Sequence, residues 1–80
     1  MTKQYRDAKA RHPGHLLLFR VGDFYEMFGQ DAETAANILG LTRTFRGSLC
    51  MAGFPQQLLK DHMQRLLKAG QKVALAEHQP

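Results

Sequence analysis

Leu16-Leu17-Leu18-Phe19-Arg20-Val21-Gly22-Asp23-Phe24-Tyr25-Glu26-Met27-Phe28 is the stretch that decides the fold. Two short apolar runs flank Gly22-Asp23, and two strand-like runs separated by a Gly-Asp pair read as a β-hairpin. Glycine supplies the positive φ that a type II′ turn needs at its first central position. Side chains alternate along a strand, so Phe24, Glu26 and Phe28 share one face while Tyr25 and Met27 take the other. One face therefore mixes two rings with an acid. A carboxylate is almost never fully buried unless paired. On spacing alone, Glu26 is either a solvated residue at the sheet edge, the commoner case, or an acid kept beside the rings for a purpose.

Outward from the hairpin the chain reads as an α/β layout. Thr2 to Arg11 is polar and basic, opens on a capping threonine and meets a stop at Pro13-Gly14, the pattern of a short helix. Asp31 to Leu39 carries acids in its first turn and closes at Gly40, as the helix dipole and C-terminal capping prefer. Leu41 to Phe45 alternates and reads as a strand with Thr42 and Thr44 on one face. Arg46-Gly47-Ser48 reads as a turn or loop, and Leu49 to Ala52 as a short strand before Gly53-Phe54-Pro55 introduces a third helix. In that helix Leu58, Leu59, Met63, Leu66 and Leu67 form the apolar side. Ala69-Gly70 ends it, and Val73 to Ala76 reads as a short buried strand. The expected architecture is a small mixed β-sheet, the N-terminal hairpin plus further strands, packed against about three α-helices.

At 80 residues there is room for one small domain, residues 1–80, with a single modest core. A hydrophobic fraction of 44%, with five Phe and two Tyr, is that of a folding chain and not a disordered one. Eleven basic against seven acidic residues leave a net charge of +4, which suits an anionic partner but also an ordinary solubilising surface. Cys50 is the single cysteine, which excludes an intrachain disulfide and a four-cysteine metal site and fits a reducing, cytoplasmic location. The apolar stretches fall far short of the roughly 20 residues of a membrane span, so no membrane partner is expected.

Motifs for catalysis are sparse. His12 and His15 flank a Pro-Gly stop with no acid or cysteine nearby to complete a ligand set, so no metal site is expected. Cys50 needs a neighbouring histidine to act as a nucleophile, and a lone cysteine between Leu49 and Met51 is more often a small hydrophobe. Neither Gly40 nor Gly47 opens a phosphate loop with the required lysine and hydroxyl. Binding remains better supported than catalysis: a basic balance, an aromatic-acid pair beside a tight turn, and Arg43 and Arg46 near a loop converge on DNA, although such arginines are more often plain solvated charges.

The segment from Leu16 to Ala32, LLLFRVGDFYEMFGQDA, resembles the opening of the mismatch-recognition domain, domain I, of the bacterial MutS family. The resemblance continues through Met51-Ala52-Gly53-Phe54-Pro55, similar to that family's Met-Ala-Gly-Ile-Pro, through Ala69-Gly70, and through Val73 to Glu77. It covers nearly the whole chain in one order. The family's Phe-x-Glu mismatch reader falls on Phe24 and Glu26, and the resemblance also brings Arg46 to a phosphate and Met51 to the groove, with Arg43 a further candidate contact.

What the resemblance implies is a non-enzymatic module for DNA mismatch repair whose partner is double-stranded DNA carrying a mismatch or small loop. A phenyl wedge inserts where pairing and stacking are already weakened, so deformability carries the discrimination. Phosphate potential and desolvation both favour the neutral form of a carboxyl group, and a neutral acid can donate a hydrogen bond to a ring nitrogen of the displaced base. ATP and magnesium belong to the family's ATPase domain, so no cofactor is expected in this chain. The remainder of a MutS protein or a dimer partner is implied as a neighbour. The chain stops before the strands that close the family's domain, so an open sheet edge is expected. The competing reading is a MutS-like protein-interaction domain that keeps the fold without binding DNA.

Overall fold

The computed structural model describes residues 2–80. Thr2 caps the first helix, α1 (Lys3–Arg11), its hydroxyl accepting from the Tyr5 amide at 3.2 Å. β1 (Leu16–Val21) and β2 (Phe24–Phe28) form the expected hairpin, paired to the residues flanking the turn, Val21 opposite Phe24. Gly22 has φ +61°, and among the described residues only glycines take a positive φ, so Asp23 does not, as a turn with positive φ at its first central position alone requires. α2 (Gln30–Leu39) ends on Gly40 in the left-handed region, with its amide on the Ala36 carbonyl.

The next segment departs from expectation. β3 is only Thr44–Arg46, and Leu41 to Arg43 is irregular because Arg43 is drawn away to α2, where it pairs with Glu33 at 2.7 Å and also bonds Asn37. β4 (Leu49–Pro55) is longer than anticipated: Gly53-Phe54-Pro55 continues the strand opposite Glu26, Tyr25 and Phe24 instead of leading into the helix. Its pairing with two neighbours, β2 and β3, holds it extended to the proline. A short 3₁₀ turn over Gln56–Leu58 then leads into α3 (Leu59–Lys68).

Among the described residues the five strands form one mixed sheet in the order β3-β4-β2-β1-β5, with β5 (Val73–Glu77) parallel to β1 and the other pairs antiparallel. β1 is apolar without alternation because it is covered on both faces. Leu16 and Leu18 pack under α2 and α3, while Leu17 and Phe19 pack with Tyr5 and Ala8 of α1. α2 turns Ala32, Ala35, Ala36 and Leu39 to the sheet, a stripe at spacings of three and four whose small side chains allow close approach.

Two expected burials are corrected. α3 docks through His62 and Leu66, with Leu59 and Met63 half-buried, while Leu58 and Leu67 are exposed. Leu58 lies in the 3₁₀ turn, and Leu67 falls at the rim of a stripe centred on Leu66, about 100° around the helix from it. β5 is an edge strand, not a buried one: Ala74 is buried but Leu75 is exposed. No helix among the described residues is long and apolar enough to cross a membrane.

One carboxylate joins three elements. Asp31, in the first turn of α2, accepts from the Leu17 amide of β1 at 3.0 Å and from Lys9 Nζ of α1 at 2.8 Å. Lys9 also donates to the His15 carbonyl. Burial and the adjacent Asp31 push the Tyr5 phenol up to about 12, so it stays neutral at any physiological pH.

His62 is the buried residue whose cost is visible. Its ring meets Phe54 edge-on at 4.7 Å, and Nδ1 finds no hydrogen-bond partner among the described residues. Burial, then the positive Arg65 nearby, lowers its pKa from the ordinary histidine value. The unfolded chain therefore binds the extra proton first. This contribution to stability is whole above the unfolded pKa of about 6.5 and is lost as pH falls from there towards the folded value. Melting temperature is expected to drop between pH 7 and pH 5, and His62→Leu is expected to shrink that drop while leaving stability at pH 7 unchanged or raised. An identical acid-side drop in wild type and variant, measured by thermal melts across the range, counts against this assignment.

Candidate nucleic-acid interface

α1 covers only part of its side of the sheet, packing over β1 and β5. The half built from β2, β4 and β3 is left bare and forms an open cleft of about 450 Å³. Phe24, Glu26 and Phe28 of β2 line it together with Met51 and Gly53 of β4. Thr42, Thr44 and Arg46 border it on the β3 side, and Thr2 at the start of α1 closes the other end. The alternation of β2 is thus realised as expected, with Tyr25 and Met27 buried on the opposite face.

The aromatic pair on this face is unequal. Phe28 is half-buried and fixed by Tyr5, whose ring meets it at 4.7 Å and also meets Phe19 at 5.6 Å. Phe24 has no such support in the core and remains 50% exposed. A large apolar side chain left in water on a strand whose neighbours are buried costs hydrophobic free energy that burial would recover. Glu26, two residues on, is half-buried beside it on the same open face, so it is neither sunk in the core nor out at a sheet edge: β2 lies between β1 and β4.

The candidate contacts divide. Phe24, Glu26, Met51 and Arg46 come together on the cleft. Arg46 ends β3 and is followed by a two-residue turn with Gly47 at φ +61°, so of the turn or loop expected there the structure has the turn, a tight hairpin that holds the arginine in register with Leu49. Among the described residues Arg46 enters no ion pair within 4.0 Å. Arg43 stands apart, its guanidinium taken up by Glu33 and Asn37 of α2. Sequence reasoning missed Gly53 and Thr2 as cleft residues. A glycine inside a strand pattern is the signal that marks the first, whereas only the placement of α1 reveals the second.

None of Cys50, His12 and His15 lines the cleft. Cys50 is buried with Glu33 Oε1 at 3.6 Å from its sulfur, and burial followed by that carboxylate pushes the thiol up, away from the reactive thiolate. His12 and His15 stack edge-on at 6.0 Å, and among the described residues no three potential metal-ligating side chains gather.

Comparison with known proteins gives this cleft its context. The family model described as MutS domain I matches residues 1–80. This chain belongs to the MutS domain I family. It is 48% identical over 82 residues to the DNA mismatch repair protein MutS of Parabacteroides distasonis, covering 96% of this chain and 9% of that protein. The MutS of Flavobacterium johnsoniae is 45% identical with the same coverage of each chain. The MutS of Treponema pallidum is 48% identical over 77 residues, again 96% and 9%. The chain thus spans about a tenth of the length of these relatives. Its mixed five-stranded sheet with helices on both faces is consistent with a MutS domain I.

Proposed function

We propose that this domain recognises mismatched or singly bulged duplex DNA within mismatch repair, with Phe24 as a wedge entering the base stack and Glu26 as the group that hydrogen-bonds the displaced base. The observation that carries the reading is the placement of a half-exposed ring and a carboxylate side by side on the open cleft of a MutS-family domain. An apolar wedge kinks a duplex at a cost of a few kcal/mol of unstacking, and the cost is least where a base is already mispaired. Arg46, at the rim and in no ion pair among the described residues, is suited to hold a phosphate. Met51 beside Phe28 offers an apolar wall to the groove.

Few cations line the cleft, so phosphate neutralisation supplies little of the binding, and each phosphate contact adds only about 0.9 to the slope of log K against log salt. The domain alone is expected to bind weakly, with a shallow salt dependence and a preference for the defective duplex. Fluorescence titration of a single-base bulge, a G·T mismatch and the matched duplex, at two salt concentrations, tests this. Equal affinity for all three sinks the proposal.

One observation favours a second reading. β5 leaves an outer strand edge with Leu75 47% exposed, a surface suited to strand addition by another protein segment. Under that reading the domain self-associates or captures a partner and shows no DNA binding at low salt.

A further inference from the structure

The cleft face of the β2–β4 pair is a grid of side chains with one gap. Phe24 lies opposite Pro55, Phe28 opposite Met51, and between these rows Glu26 lies opposite Gly53. Strand alternation turns Met51, Gly53 and Pro55 to the same side as the β2 trio. Glu26 therefore has a bare stretch of backbone as its cross-strand neighbour, where a side chain would normally cover it. Thr42 borders the same cleft.

Nothing in the backbone of Gly53 calls for glycine. It is absent from the residues with positive φ, all of which lie in turns or at element ends, and glycine weakens a strand interior. What excludes other residues is space. A Cβ built at Gly53 comes within 2.9 Å of the Tyr25 carbonyl oxygen and 3.8 Å of both Cα and Cγ of Glu26. The first contact is with backbone and cannot be relieved by a side-chain rotation, so β2 would have to shift at Tyr25 and Glu26. The second puts a methyl group against the stem of the Glu26 side chain.

We infer that Gly53 is a specificity-determining position: its missing side chain leaves a notch beside Glu26 into which the edge of a displaced nucleobase fits, so that base and carboxyl meet side-on. This rests on the proposed reading of the cleft and deepens it. Phe24 opens the stack, and Gly53 makes room for what the opening exposes. The notch is bounded along its own strand by Met51 and Pro55 and across the pair by Glu26, so the flat edge of a base fits it better than a bulky or tetrahedral group.

Two measurements on the same samples test the inference. In the wild-type domain bound to a mismatched duplex, the Gly53 α-protons are expected to show intermolecular NOEs to base protons at the defect. Gly53→Ala is expected to reduce the mismatch-over-matched affinity ratio about tenfold, but by less than about twofold when introduced into Glu26→Ala. A loss of the same size in both backgrounds overturns the inference, and the NOEs separate a base seated at Gly53 from a glycine that only keeps β2 and Glu26 in place. NOEs from the Phe24 ring without any from Gly53 also overturn it, an outcome that leaves the proposed function standing. If Gly53→Ala does not fold, the NOEs on wild type decide. A wild-type domain with no preference for mismatched DNA brings down the proposed function and this inference with it.

Discussion

Asp31→Ala is expected to lower the stability of the domain by about 1–4 kcal/mol, a large share of the whole. Native domains have about 0.05–0.15 kcal/mol per residue, or about 4–12 kcal/mol for a chain of this length. Removing the carboxylate strips the acceptor from the Leu17 amide, and a buried donor left unmade costs about 1–3 kcal/mol. Leu17 is fully buried in β1, an interior strand of the sheet, so water cannot readily replace the lost partner. Lys9 keeps its bond to the His15 carbonyl but loses its ion partner, and because its side chain is 35% exposed that loss is worth only about 0–1 kcal/mol. The amide therefore outweighs the ion pair. Urea unfolding followed by circular dichroism should show a lower midpoint at unchanged slope. Lys9→Met, which leaves the Leu17 bond in place, should cost less. Equal losses for the two variants, or no loss for Asp31→Ala, would show that the junction is not held in this way.

Phe24→Ala is expected to abolish most of the preference for mismatched over matched DNA while sparing the fold. Stacking of a base on an aromatic side chain is worth about 1–3 kcal/mol by alanine substitution, which is about 5-fold to 150-fold in affinity for the defective duplex. Matched DNA, where wedging is offset by the cost of breaking an intact stack, should be affected less. The ring is half-exposed and lies outside both buried clusters, so its truncation should cost only about 1 kcal/mol of folding free energy. Titration of both duplexes with wild type and variant, alongside melts to confirm folding, separates the two effects. A folded Phe24→Ala domain with the wild-type ratio would remove the ring from the recognition role.

Much of this was legible because local signals agreed with one another. The Gly22-Asp23 turn, the alternation of Phe24 to Phe28, the Thr2 cap and the Gly40 stop each arise from a few neighbouring residues, and each stands in the structure where the residues place it. The failures share a cause in long-range competition. Arg43 reads as part of a strand until α2 offers it Glu33 and Asn37. Gly53-Phe54-Pro55 reads as a helix approach until β2 and β3 hold β4 extended. Leu58 and Leu67 fit a helical stripe whose true centre includes His62, a residue no hydrophobic pattern would choose. The cleft itself depends on α1 leaving half of one sheet face uncovered, and no local pattern carries that information. Resemblance, not spacing, turned Glu26 from a possible edge residue into a candidate reader, and its interior position in β2 now accounts for why it is not simply solvated.

The strict alternation of β2 also bears on how such a domain can change over time. Tyr25 and Met27 answer to the core, whereas Phe24 and Glu26 face the open cleft. Because neighbours along the strand point to opposite sides, a substitution at Phe24 or Glu26 alters what the surface presents without repacking the interior, and one at Tyr25 or Met27 does the reverse. Selection on the cleft surface and selection on folding thus act on interleaved sets of residues within a single five-residue strand, and one can drift while the other is held.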